Sequence, residues 1–318
     1  MSPGEGTRWG VTVDSPTEER NPRTVDLDVV DTLELLTLIN AEDQLVPGAV
    51  AAALPEVARL VDGAAERVRA GGTVHYVGAG TSGRLGVVDA AELLPTFRLE
   101  DGVVTAHLAG GPPAIVRAAE NVEDDRAAGA DAVADVREHD VVVGLAASGR
   151  TPYVAGALAL ASERGALTAL VTCNPRAVLL DDVDIAVVLD TGPEALTGST
   201  RMKSATAQKL VLHSFSTALM VRLGRTWSNL MVSMVATNEK LRARTVTILT
   251  QATGLERPTC EAVLEEAGGD LKVALVMTLA GTDPTTARSA LTATDGVVRS
   301  AVRSLSAPTP SSSSRREP

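Results

Sequence analysis

Between residues 73 and 189 the chain alternates short apolar runs with stretches of helical periodicity, and this alternation limits the fold more than any other feature. The runs are 73–78 (TVHYVG), 103–108 (VVTAHL), 140–146 (DVVVGLA), 167–172 (LTALVT) and 184–189 (DIAVVL). All are rich in β-branched residues, and four are nearly unbroken, the pattern of strands buried on both faces of a parallel sheet. Helical stretches at 83–94, 112–136 and 152–164 separate most of them. The expected architecture is a doubly wound α/β domain with a mainly parallel five-stranded sheet. Ligands of such domains bind at the carboxyl ends of the strands, in the loops that enter helices.

The flanking segments differ in character. Residues 28–40 and 47–70 have helical periodicity, and Pro47 suits a first helical turn. Residues 200–250 read as one or two long helices, and 250–302 as short helices punctuated by Gly-Leu, Gly-Gly and Gly-Thr-Asp-Pro. Residues 1–24, polar with scattered Pro and Gly, are expected to be a flexible lead-in. The predicted organisation is therefore a main domain over 25–250, a small helical module over 251–303, and a disordered Pro/Ser-rich tail over 304–318.

Composition narrows the function. A net charge of −11 and a pI near 4.9 argue against a nucleic-acid or anionic-membrane partner, which would call for clustered Lys and Arg. Aromatics are only 2% of the chain, so stacking on bases or sugar faces is scarce. Cys173 and Cys260 are the only cysteines, giving neither a disulfide framework nor a thiolate metal site. His75, His107, His139 and His213 show no ligand spacing and read as structural or surface residues, so no metal is expected. No signal peptide opens the sequence, and no apolar run reaches the roughly 18 residues of a membrane span. A cytoplasmic setting is the default expectation.

Three hydroxyl-rich loops stand where ligands would bind. "GAGTSGR" (78–84) follows the first strand candidate, "AASGRTP" (146–152) the third, and "TGSTRMKSATAQK" (197–209) the fifth; each enters a helix. Small hydroxyl residues and free N–H groups at a helix N-terminus hold phosphate through hydrogen bonds and the helix dipole. The first loop also matches G-x-G-x-x-G, the dinucleotide fingerprint. That reading requires an acidic residue at the end of the second strand to hold a ribose. Glu100 and Asp101 precede that strand instead of ending it, and "AGGPPAI" after it has no carboxylate. A phosphorylated ligand other than NAD fits the three loops better.

The segments "YVGAGTSGRLGVVDAAELLPTF" (76–97), "VVGLAASGRTPYV" (142–154) and "LTGSTRMKSATAQKLVLHSFSTALMVRLGR…NLMVSMVATNEKL" (196–241), with "LINAEDQLVPGAV" (38–50), closely resemble the N-acetylmuramic acid 6-phosphate etherases, members of the sugar isomerase (SIS) fold group. The resemblance covers about 25 to 300 and implies cleavage of the lactyl ether at C3 to N-acetylglucosamine 6-phosphate and D-lactate. No cofactor is implied, because elimination and rehydration need only two positioned acid–base groups. Glu92 matches the acid that protonates the departing oxygen, and Glu123 the base that takes the C2 proton. Substrate-binding candidates are Gly80, Ser82 and Gly83 in the first loop, Ser148, Gly149 and Thr151 in the second, and Ser199, Thr200 and Lys203 in the third, with Glu194 just before it. Arg84 and Arg201 are open between phosphate and surface roles, and Asn238 and Glu239 read as structural or interfacial. A homodimer is implied.

The chain departs from the family pattern in two places. Ala91, Leu93 and Leu94 stand where D-A-S-E-C-P-P has Ser, Cys and the first Pro, and Asn121 stands where a Gly is usual. The related glucokinase regulatory proteins, which bind sugar phosphates without catalysis, offer the alternative reading of a regulator. They are longer, with two such domains. A dehydrogenase is the third possibility.

Overall fold

The computed structural model of the chain describes residues 14–233 and 239–306. In chain order, α1 (Thr32–Asp43) and α2 (Val46–Arg69) precede β1 (Val74–Gly78), α3 (Gly80–Phe97), β2 (Val104–Leu108) and the single turn α4 (Pro113–Val116). Then come α5 (Arg126–Asp131), β3 (Val141–Leu145), α6 (Pro152–Glu163), β4 (Leu167–Thr172), β5 (Ile185–Val188) and α7 (Lys203–Arg222). A short antiparallel hairpin, β6 (Thr226–Trp227) with β7 (Leu230–Met231), is followed by α8 (Glu239–Thr253), α9 (Arg257–Glu266), α10 (Leu271–Ala280), α11 (Pro284–Thr292) and α12 (Val298–Ser306). The chain divides into two compact units, Met1–Leu93 with Glu100–Leu219, and Leu94–Leu99 with Met220–Pro318.

The first unit is built on a parallel five-stranded sheet in the order β2-β1-β3-β4-β5. Each strand lies within one residue of the apolar run that predicts it. β3 and β4 are buried at every position, whereas the edge strand β2 is half-buried along most of its length, as its alternating sequence requires. α2 packs on β4 and β5 through a stripe running Val46, Val50, Ala53, Val57, Leu60 and Ala64. On that same face Tyr76 of β1 donates a 2.9 Å hydrogen bond to the buried Asp89 of α3, and Ser216 of α7 donates another at 3.0 Å. The opposite face is covered by α6 and α5, packed so closely that a Cβ on Gly129 would stand 1.8 Å from the Tyr153 carbonyl oxygen. β1 is followed outward by β2 on one side and by β3 on the other, so the topological switch point lies between β1 and β3.

Four expectations are corrected. Residues 112–136 are not one helix: α4 ends at Val116, Asn121 turns left-handed (φ 61°), Val122–Asp124 makes a 3-10 turn, and α5 starts under an Asp125 cap. Residues 14–24 are not a flexible lead-in. Ser15, Thr17, Asn21 and Thr24 are buried, Asn21 donates to the Pro193 carbonyl, Thr24 to that of Ala195, and the Thr17 carbonyl accepts from Gly198 N–H. Residues 200–250 hold α7, a hairpin and α8 rather than helix throughout. The boundary between units falls at Leu219/Met220, not at 250, because Val246, Ile248 and Leu249 of α8 share one buried cluster with α9 to α12. Residues 1–13 and 307–318 lie outside the described residues; of the predicted tail, 304–306 finish α12. Thr32–Arg69 has the length and hydropathy of a membrane span. Its Glu42, however, is buried in a charged network, and its second half, α2, packs its apolar stripe on the sheet.

The second unit closes around Leu249, Cys260, Ala267, Leu275, Val276 and Ala301, all fully buried. Its helices start where the sequence supplies caps: the Asp270 side chain accepts from the N–H groups of Lys272 and Val273, and Asp283 from those of Thr285 and Thr286. Gly281 ends α10 at φ 63°. Cys173 of the first unit is equally buried, and burial pushes its thiol up to about 12.

Two histidines that show no spacing signal meet across the sheet. His75 Nδ1 and His107 Nε2 are 2.9 Å apart, because β1 and β2 pair in parallel with His75 opposite Thr105. Thr73 Oγ1 donates to Asp140 Oδ1 at 2.8 Å and so accepts from His75 Nε2–H, also at 2.8 Å. That leaves His75 Nδ1 as the acceptor for His107 Nε2–H. Burial lowers both imidazoles, His107 to about 4 with the neighbouring His75 adding to the effect.

Candidate active site

The first two hydroxyl loops flank the switch point. β1 delivers Gly80, Ser82 and Gly83 into the first turn of α3, and β3 delivers Ser148, Gly149 and Thr151, the last as N-cap of α6. The hydroxyls of Ser82, Ser148 and Thr151 take no hydrogen bond among the described residues and are half-exposed. The glycines differ in role. Gly83 serves packing: a Cβ there would stand 2.5 Å from the Gly78 carbonyl oxygen, so only glycine lets α3 lie this close to β1. Gly149, at φ 64° and pressed against Ala177, sets the turn of the second loop. Gly80, at φ 53°, has open space around it.

The second loop is tied to its neighbours through its carbonyls. Its three consecutive carbonyls are all held by the end of β4 and the segment after it: Ala147 by Cys173 N–H (2.9 Å) and Thr172 Oγ1 (3.1 Å), Ser148 by Asn174 Nδ2 (3.1 Å), and Gly149 by Leu179 N–H (3.3 Å). Peptide planarity turns the Ser148 N–H the opposite way from the Ala147 carbonyl, and it too has no partner among the described residues.

The third loop divides. Ser199 and Thr200 are half-exposed, but Glu194 and Lys203 are fully buried. Glu194 caps α7, accepting from Lys203 N–H (2.9 Å), Ser204 N–H (2.9 Å) and Ser204 Oγ (2.7 Å). Lys203 Nζ donates to Glu42 Oε2 at 2.6 Å, and Arg23 holds the same carboxylate from outside, which takes the Glu42 carboxyl down to about 2. The expectation that Glu194 and Lys203 touch a sugar is therefore corrected; they support the loop from beneath. Arg84 is likewise committed, donating to the carbonyls of Ala114, Ile115 and Arg117 and so fixing α4.

Both candidate catalytic carboxylates are exposed. Glu123 sits in the 3-10 turn that packs on α6, the helix that Thr151 opens. For Glu92, at 1.5 Å per residue, the ten residues from Ser82 put its backbone about 15 Å farther along the axis of α3. Asn238 lies outside the described residues. Sequence reasoning missed Asn174 and Glu42; a polar Asn directly after the apolar run of β4 was the available signal for the first, and nothing local marks the second.

A doubly wound sheet with unpartnered hydroxyl loops at its switch point, and no acid ending β2, defines a domain of the sugar isomerase class. The SIS domain model accordingly matches residues 116–218, and that of the glucokinase regulatory protein N-terminal SIS domain matches residues 56–162. Over 267 residues the chain is 56% identical to the N-acetylmuramic acid 6-phosphate etherase of Thermobifida fusca, covering 84% of this chain and 88% of that one. Enzymes of the same name from Serratia proteamaculans and Cutibacterium acnes are each 51% identical over 90% of this chain, and 97% and 95% of theirs. The chain belongs to the N-acetylmuramic acid 6-phosphate etherase family.

Proposed function

We propose that this protein cleaves the lactyl ether of N-acetylmuramic acid 6-phosphate with water, giving N-acetylglucosamine 6-phosphate and D-lactate. The observation that carries this reading is the 56% identity, over 84% of the chain, with a protein of that name. In the opened sugar Glu123 takes the C2 proton, Glu92 protonates the ether oxygen as lactate leaves C3, and water adds to the unsaturated aldehyde. The Ser82 and Ser148 loops hold the 6-phosphate, with Ser199 and Thr200 closing from the third loop. A cytoplasmic setting belongs to the same proposal.

The 15 Å between Ser82 and Glu92 supports a homodimer in which Glu92 of the partner subunit completes the site. An apolar surface is available for pairing: Leu33 and Leu36 on α1 are 76% and 56% exposed, and Val29 in the turn before it is 76% exposed. The test is incubation with N-acetylmuramic acid 6-phosphate and assay for D-lactate. Glu92→Gln and Glu123→Gln should each lower lactate release by about 10²–10⁴-fold while product binding persists. Phosphosugar binding with no lactate at any enzyme concentration would favour the non-catalytic regulator, the reading that the glucokinase regulatory protein match over 56–162 keeps open.

A further inference from the structure

Residues 14–24 run as a strap across the loops at the carboxyl end of the sheet. Its Asp14 end is held by two residues that follow β4. Asn174 Nδ2 donates to the Asp14 carbonyl at 2.8 Å, and Arg176 reaches Asp14 Oδ1 at 2.8 Å and Glu19 Oε1 at 3.2 Å. Farther along, Thr17, Asn21 and Thr24 bind the backbone that leads into the third loop. Asn174 is only 3% exposed, and its amide is divided between two tasks. The same Nδ2 that holds the strap donates to the Ser148 carbonyl at 3.1 Å, while Oδ1 accepts from Arg176 N–H at 2.9 Å. One side chain thus joins the strap to the middle carbonyl of the second phosphate loop. A carboxylate at that position would present acceptors to two carbonyl oxygens and could make neither bond.

We infer that Asn174 is a positioning residue for the Ser148–Thr151 loop and couples that loop to the strap, so that a phosphate on the loop is felt in residues 14–24. Coupling of this kind is reciprocal: a ligand that orders the loop steadies the strap, and a loosened strap weakens the ligand. The inference rests on the assignment of the Ser148 loop to the sugar phosphate.

The probe is N-acetylglucosamine 6-phosphate, read by hydrogen exchange of peptides covering 14–24, beside steady-state kinetics on the etherase substrate. In the unaltered protein, saturating probe should slow exchange in the strap; unchanged exchange there overturns the coupling. Asn174→Ala and the near-isosteric Asn174→Asp should each raise KM about tenfold with kcat within threefold, and abolish the strap's response to probe concentrations that still saturate. A kcat loss at unchanged KM, or an Asn174→Asp protein that behaves as the original, overturns the positioning role. Ser148→Ala separates the two claims. If it leaves KM and probe affinity unchanged, the phosphate assignment itself fails; if it raises KM while the Asn174 variants do not, only the present inference fails. Should Asn174→Ala not fold, Asn174→Asp and the exchange experiment on the unaltered protein decide.

Discussion

At Asn121 the backbone stands at φ 61°, ψ 3°, a conformation natural to glycine and open to asparagine. The departure from the family's usual Gly is therefore conservative in backbone terms, and it leaves the turn bearing Glu123 in place. Asn121→Gly should change stability by no more than a few tenths of a kcal/mol, whereas Asn121→Ala should cost about 1 kcal/mol, read from denaturant midpoints. The histidine pair makes a second residue-scale prediction. Both imidazoles are lowered in the fold, so the unfolded chain binds more protons below its ordinary histidine range. Stability contributed by the pair is complete above pH 6.5 and falls as the pH drops towards 4. A His75→Val/His107→Val double variant should lose that part of the stability–pH curve, measured by urea unfolding at fixed temperature.

The elements differ in how openly they announce themselves. The five strands were legible because a strand covered on both faces has no use for polar residues, and four of the five runs are apolar almost without a break. The interrupted helix of 112–136 was not: its apolar residues keep a helical spacing, but the backbone turns extended at Arg117 and left-handed at Asn121. The strap was hidden for another reason. Its buried residues are mostly Ser, Thr and Asn, and two of them, Asn21 and Thr24, bond to backbone carbonyls more than 170 positions away. For the site, loop position was readable from strand–helix order, while the burial of Lys203 and Glu194 was not, since their partners are distant or are backbone atoms. Glu42 gives the corresponding prediction. Glu42→Gln leaves the Lys203 ammonium buried without its counter-charge and should cost about 3–5 kcal/mol by chemical denaturation. Because the fold takes this carboxyl from 4.5 to about 2, its contribution is present above pH 4.5 and disappears as the pH falls towards 2, below the histidine window.

For the molecule as a whole, the placement of Glu92 and Glu123 makes assembly a testable part of catalysis. If each site draws Glu92 from one chain and Glu123 from the other, a heterodimer of Glu92→Gln with Glu123→Gln has one site with neither carboxylate and one with both. Mixing the two inactive proteins under exchanging conditions should then recover up to about a quarter of the original activity, following random pairing by symmetry. Mixtures that stay inactive despite demonstrated subunit exchange would place both carboxylates in one chain. If the proposed dimer pairs through α1, Leu33→Glu on its exposed side should shift sedimentation towards monomer and lower activity in parallel.

The two cysteines turn burial into a measurement. Cys173 lies in the core of the sheet unit and Cys260 in that of the helical unit, with no exposed surface on either. Since only an exposed thiolate is alkylated, labelling at each position requires the surrounding structure to open. Pulsed alkylation followed by peptide mass analysis would read the opening free energies of the two units separately, in one tube, from the unmodified sequence. The chain thus carries a native reporter for each half, and comparing the two rates with and without phosphosugar would show which half the ligand steadies.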